Sequence, residues 1–163
     1  MLSSATGTKF ERGISLFEIL ITILVVSVGL LGLAGLQFAG LRAANNAQQH
    51  TQATLLAQDI EARIRANSAA AKSPIYAYNN VTLDTSSSPG SADCLTAACT
   101  PVQMANDDIY QWYRLIVPMA GDKPLLPNAS ITVTSNNGTD FQTTIQWGDP
   151  SGPQTLNATF TDE

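Results

Sequence analysis

Apolar positions follow three different rhythms along this chain. Over residues 19–41 they predominate, and 23 residues pass without a formal charge. As an α-helix at about 1.5 Å per residue this run measures about 34 Å, the thickness of a bilayer's hydrocarbon core, so it predicts a membrane span. Over residues 43–66 the pattern becomes periodic. Ala53, Leu56, Ile60 and Ile64 recur three and four apart in a stretch rich in Ala, Gln and Leu that holds neither glycine nor proline. The helix is therefore expected to continue into water, with that face covering a sheet. In the last third the rhythm is alternation: Ile131 and Val133, then Phe141, Thr143, Ile145 and Trp147, then Leu156, Ala158 and Phe160. Asn136-Asn137-Gly138 and the residues 149–153 supply turns, which predicts a three-stranded antiparallel meander.

Between the long helix and the strands lies a second helix with clear signals. Thr100 is placed to cap it, Pro101 suits its first position, and Gln103 stands where a capping box needs it. Ala105, Ile109, Trp112 and Ile116 mark its apolar face, Asp107 and Asp108 are assigned to the opposite side, and Pro118 discourages continuation. Trp112 and Tyr113 are read as core rather than as a ligand platform. On the exposed side of the long helix, Asp59 with Arg63 and Glu61 with Arg65 form acid-to-base pairs four apart. His50 is read as a solvated surface residue. Residues 67–93 are the least readable: a Ser-rich loop closes them, residues 75–83 fit either a short strand or a helical extension, and the aromatic-bearing loop is a candidate interface as much as a structural connection.

Charge and chemistry narrow the function. The net charge is −5, and clustered Lys and Arg are lacking, so nucleic acid is not expected as the main partner. Cys94 and Cys99 enclose four residues. The pair is read as a local disulfide rather than a metal set, which would need more ligands than Asp93 and the distant His50 supply. No triad, metal cluster or phosphate loop is present in the sequence, so neither catalysis nor a cofactor is expected.

The N-terminal end carries the most specific pattern. Lys9 and Arg12 precede Gly13; then come Ile14, Ser15, Leu16, Phe17 and Glu18, a lone carboxylate at the edge of the apolar run, where an ionised group needs a partner. A secretory signal peptide would be cut after its apolar core, whereas the small residue here lies before it. The basic residues ahead of the span and the acidic remainder behind it favour a cytoplasmic N-terminus and an exported C-terminal part. This arrangement resembles the leader and N-terminal helix of type IV prepilins. The resemblance implies that a prepilin peptidase cuts between Gly13 and Ile14 and methylates the new N-terminus. It also implies that the mature helix packs into a filament core, with Glu18 meeting the N-terminal amine of a neighbouring subunit. Residue 14 is isoleucine where phenylalanine is commonest in the family, and minor pilins vary there. Losing residues 1–13 would leave six basic and twelve acidic residues, a net charge of −6.

The resemblance sharpens to minor pilins of the PilV type. Its carriers are the Val28-Gly-Leu-Leu-Gly-Leu-Ala-Gly-Leu-Gln37 run, the Cys99-Thr-Pro-Val-Gln-Met block, Ile109-Tyr-Gln-Trp112, and Leu125-Leu-Pro127 ahead of a strand. Three parts are expected: leader 1–13, a membrane-spanning and filament-core segment 14–41, and a periplasmic globular domain 42–163. The fold implied is α+β and type IV pilin-like, a long N-terminal helix packed on a small C-terminal antiparallel sheet with a second short helix. The implied function is that of a minor pilin priming assembly in a complex near the fibre tip. The implied partners are the prepilin peptidase, other minor pilins, the major pilin, a tip adhesin and the inner membrane, with residence on the cell surface after assembly. The rival readings are a minor pseudopilin of a type II secretion system and a stationary single-span periplasmic binding protein.

Overall fold

The computed structural model describes residues 15–72, 77–150 and 152–162. Its first element, α1 (Leu16–Ala66), is a single helix of 51 residues. A one-turn helix α2 (Ser68–Ala71), strand β1 (Val81–Leu83) and helix α3 (Pro101–Ile116) follow, and then strands β2 (Ser130–Ser135), β3 (Asp140–Trp147) and β4 (Gln154–Thr161). The chain divides between Ala44 and Asn45 into two compact units.

In the first unit every large apolar side chain of α1 from Leu16 to Leu41 is exposed. Its hydroxyls stay within the helix: Thr22 Oγ1 donates to the Glu18 and Ile19 carbonyls at 2.9 and 2.8 Å, and Ser27 Oγ donates to the Ile23 carbonyl at 2.6 Å. Hydroxyls bonded back to the helix in this way ask nothing of the solvent around them, which suits a segment residing in lipid.

The second unit owes its core to one stripe of α1. Ala53, Leu56, Ala57, Ile60 and Ile64 are the buried residues of that helix, spaced so that each turn contributes one or two. They join a single apolar cluster with Trp112 and Ile116 of α3 and with Ile131, Val133, Ile145 and Trp147 of the sheet. Trp112 is fully buried, and its Nε1 has no acceptor among the described residues, so its contribution is packing.

The sheet is an antiparallel meander in the order β1-β2-β3-β4. Residues 81–83 form its first strand, pairing Val81 with Val133 and Leu83 with Ile131, which resolves the strand-or-helix ambiguity of that stretch. Burial alternates along β2 and β3, with Thr143 the one hydroxyl among the inward residues of β3. The β2–β3 hairpin is held by the turn chemistry that its sequence offers. Gly138 sits at φ 76°, its N–H donates to Ser135 Oγ at 2.9 Å, and Asn137 Oδ1 accepts from the Thr139 and Asp140 N–H groups. The α3 capping box forms as expected: Thr100 Oγ1 accepts from Gln103 N, and Gln103 Oε1 accepts from Thr100 N at 2.9 Å.

Two expectations need correction. Asp107 and Asp108 do not face away from the core; both are buried. Asp108 stands three residues after Ala105 and four before Trp112, so helical geometry puts it at the margin of the apolar face itself. The loop after α1 does not offer Tyr78 to a partner, because that ring is wholly buried and tilted against Trp112 at 5.8 Å. Tyr76 lies outside the described residues.

The role of the helical stripe is testable by contrast. Ile60→Ala, at a fully buried position, is expected to cost about 2–5 kcal/mol. Leu55→Ala, on the same helix but 59% exposed, is expected to stay within about 0.5 kcal/mol of the parent. Denaturant melts of both variants decide it; equal losses would mean that the stripe is not what fastens the helix.

Candidate functional site: the apolar span and a buried polar cluster

In the first unit the sequence-predicted assembly residue, Glu18, lies in the opening turn of α1. Ser15 starts that turn, its Oγ accepting the Phe17 N–H at 3.3 Å while its carbonyl accepts from the Glu18 and Ile19 N–H groups. A carboxylate at a helix N-terminus is favoured by the helix dipole. Among the described residues no side chain partners Glu18, which therefore presents an acceptor at the head of an apolar helix. The predicted cleavage and methylation residues Gly13 and Ile14, and the basic Lys9 and Arg12, lie outside the described residues. The helix is long and apolar enough to cross a membrane.

In the second unit a polar cluster joins α1, α3 and the loops between them. Arg63 Nε donates to Asp59 Oδ2 at 2.8 Å, and its Nη1 donates to Asp108 Oδ1 at 3.1 Å and to Gln111 Oε1 at 2.8 Å. The other oxygen of Asp108 accepts the Tyr78 hydroxyl at 2.6 Å, and that hydroxyl accepts from Asn67 Nδ2 at 2.9 Å. Asn67 also donates to the Pro101 carbonyl at 2.8 Å, fixing the end of α1 against the start of α3. Gln111 Nε2 continues the chain to Asp107 Oδ2 at 2.7 Å, and Asp107 Oδ1 accepts from Ser91 Oγ at 3.3 Å. Burial pushes the Tyr78 hydroxyl well above the usual phenol range, and its bond to Asp108 pushes it in the same direction. Burial alone would lower the Arg63 pKa, but its bonds to Asp108 and Asp59 hold it above the usual value.

This arrangement holds α1, α3 and the loops between them together. The phenol keeps its proton, the cation is fixed by carboxylates, and the exposed Ser91 hydroxyl donates to Asp107. Among the described residues no three His, Cys, Asp or Glu side chains converge as a metal site. Cys94 and Cys99 are bonded to each other one residue ahead of the Thr100 cap, so the disulfide closes the loop from which α3 starts. His50 is exposed, yet its ring meets Trp147 edge-on at 5.0 Å, beside the Gln49 Oε1 that accepts from Trp147 Nε1 at 3.1 Å.

Residues 35–110 match the model of the Tt1218-like family, described as type IV pilin Tt1218. Over that stretch, 76 of its 163 residues, the chain is similar to a type IV pilin. The match begins within the apolar run of α1 and ends inside α3, so it covers the polar cluster's contributions from Asp59 to Asp108 and the disulfide. No curated protein and no solved structure matches the chain. The long apolar N-terminal helix fits a membrane-anchored protein.

The cluster predicts a distinctive alkaline response. The folded Tyr78 pKa lies above the unfolded value of 10.0, so the stabilisation is complete below pH 10 and is lost as pH rises towards the folded value. Tyr78→Phe should cost about 1–3 kcal/mol at pH 7, where Asp108 and Asn67 lose a partner. It should also lose less stability than the parent between pH 9 and about pH 11. Denaturant melts across that window test both statements, and identical pH slopes for variant and parent would contradict the second.

Proposed function

We propose that the chain is a prepilin that matures into a minor subunit of a type IV pilus. The observation that carries the proposal is Glu18, the single carboxylate at the head of an uncharged helical run, on a helix that continues into the region matched by the pilin family model. In this reading residues 1–13 are a leader, cut between Gly13 and Ile14 by a prepilin peptidase that methylates the new amine. Residues 14–41 anchor the subunit in the inner membrane and later pack in the filament core. Residues 42–163 form the periplasmic globular domain that selects its neighbours, other minor pilins and the major pilin, in a complex that primes assembly near the fibre tip, beneath a tip adhesin.

The carboxylate has a definite task. Opposite charges attract strongly in a low-dielectric interior, but burying them is favourable only when they meet closely. A Glu18 oxygen brought against the methylated amine of an adjacent Ile14 satisfies both ions at once and fixes the axial register between subunits. Acidic charge on the globular part argues against direct nucleic-acid binding as the function.

Two measurements test the proposal. Mass spectrometry of filaments sheared from the cell surface should yield a peptide that begins at methylated Ile14. Detection only of unprocessed chain in the inner membrane would favour a stationary receptor, and processed chain confined there would favour a pseudopilin. Separately, Glu18→Ala should leave membrane insertion and cleavage intact while sharply reducing incorporation into filaments. Normal incorporation in a mixed assembly would remove the role given to the carboxylate.

A further inference from the structure

The sheet ends on one side in an open edge. β4 pairs with β3, and among the described residues no other backbone pairs with its outer side. One bond fixes which groups face outward: Asp162 donates its N–H to the Thr139 carbonyl at 2.8 Å, one step beyond the Asp140–Thr161 pair. Bonded and non-bonded pairs alternate along an antiparallel ladder. Gln154, Leu156, Ala158 and Phe160 therefore turn their N–H and C=O groups towards β3, while Thr155, Asn157, Thr159 and Thr161 turn theirs away from the sheet. The strand holds no charge and no proline, and its register with β3 runs without a bulge, so it lacks the devices that block strand addition. β1, on the opposite edge, is only three residues long.

The same strand is chemically symmetric about Ala158. Asn157 mirrors Thr159, Leu156 mirrors Phe160, and Thr155 mirrors Thr161. We propose that β4 is a self-association edge, pairing antiparallel with β4 of a second copy of this chain about a two-fold axis at Ala158. A two-fold contact requires a self-complementary surface, and this strand supplies one. Asn157 of each copy exchanges backbone bonds with Thr159 of the other, and Thr155 does so with Thr161. On the core side, Leu156 and Ala158 are half-buried in the single chain. In the pair, Leu156 lies opposite Phe160 of the second copy, and the two small Ala158 side chains meet at the axis. Asp162 falls opposite Gln154, so no like charges oppose each other.

The pattern also selects the register. A slip of one residue sets inward-facing backbone groups against outward-facing ones and loses the ladder. The two-residue slips are bonded but mismatched: one places Phe160 opposite Gln154, and the other places Leu156 opposite Asp162. This inference does not depend on the filament reading, since it rests only on the geometry and sequence of β4.

Disulfide trapping of the full chain in detergent tests it. At the axis the two Ala158 Cα atoms would stand about 4.5 Å apart, within reach of a disulfide. Ala158→Cys should therefore oxidise to a covalent dimer, whereas Gln142→Cys, exposed on the sheet's outer face, should remain monomeric. Adding Thr159→Pro to Ala158→Cys should reduce trapping by about tenfold or more, because the ring replaces an outward donor while the ladder to β3 keeps its bonds. Thr159→Ser should leave trapping unchanged, and circular dichroism should show the proline variant folded. Equal trapping at positions 142 and 158, or trapping indifferent to Thr159→Pro in a folded variant, would overturn the proposal. So would absence of the dimer with β4 instead joined to a strand of a different protein.

Discussion

The side chain of Arg63 is only one-third exposed, and its guanidinium meets Asp59 on its own helix and Asp108 and Gln111 on α3. A cation at that depth is tolerated when each N–H finds an acceptor, and truncating one partner costs more than the pair contributes. The organisation of the globular unit follows from meeting that demand. Asp108 has to enter the margin of an apolar face, Tyr78 has to be drawn inside to take its second oxygen, and Asn67 has to end α1 where it reaches both Tyr78 and the first carbonyl of α3. Apolar burial supplies the larger share of stability, yet it is non-directional and would tolerate several placements of α3. The bonds to Asp108 and Asn67 leave one.

The same helix answers two solvents. Over its first part every large apolar side chain is exposed and the hydroxyls bond back to the helix. From Ala53 onward one stripe is buried and the remainder carries water-facing charge, such as the Arg65–Glu61 pair at 2.9 Å. A helix needs no outside hydrogen-bond partners except at its ends, so it can pass from lipid to water without a break. The side chains alone record which environment each turn is built for.

The features read correctly from sequence were those with a short-range cause. The length of α1, the α3 capping box, the Asn137-Gly138 turn and the alternation of β2 and β3 each depend on residues a few positions apart. The polar cluster was missed because it joins residues 45 and 48 positions apart, as in Arg63 with Asp108 and Arg63 with Gln111. A signal did exist: Asp108 keeps helical spacing with Ala105 and Trp112, and an acid at such a position implies a buried partner. Tyr78 gave no such signal, since a lone aromatic in a loop has no period. Strand β1 is too short for alternation to speak, and its strand identity comes from pairing with β2. Gly13 and Ile14, on which the functional reading leans, lie outside the described residues, so the weight there falls on Glu18 and the apolar helix.

The acidic charge is mostly spent on local order rather than on partners. Asp84 accepts from Ser86 N, Ser86 Oγ and Ser87 Oγ, and its bond from the Ser86 hydroxyl leads the contacts that hold its carboxyl below the usual range. Asp140 accepts from Asn137 Nδ2 and Thr161 Oγ1, and Asp93 Oδ2 accepts from Thr96 Oγ1. Asp107 and Asp108 are consumed inside the fold. Carboxylates engaged in turns and in a buried cluster cannot also turn to meet a cationic ligand without unmaking those contacts. The outward rows of β2, β3 and β4 are, by contrast, threonine, serine, glutamine and asparagine, neutral apart from Asp140 at one end. Recognition across this outward face of the sheet therefore rests on shape and on neutral polar side chains, which are short-range and geometrically demanding.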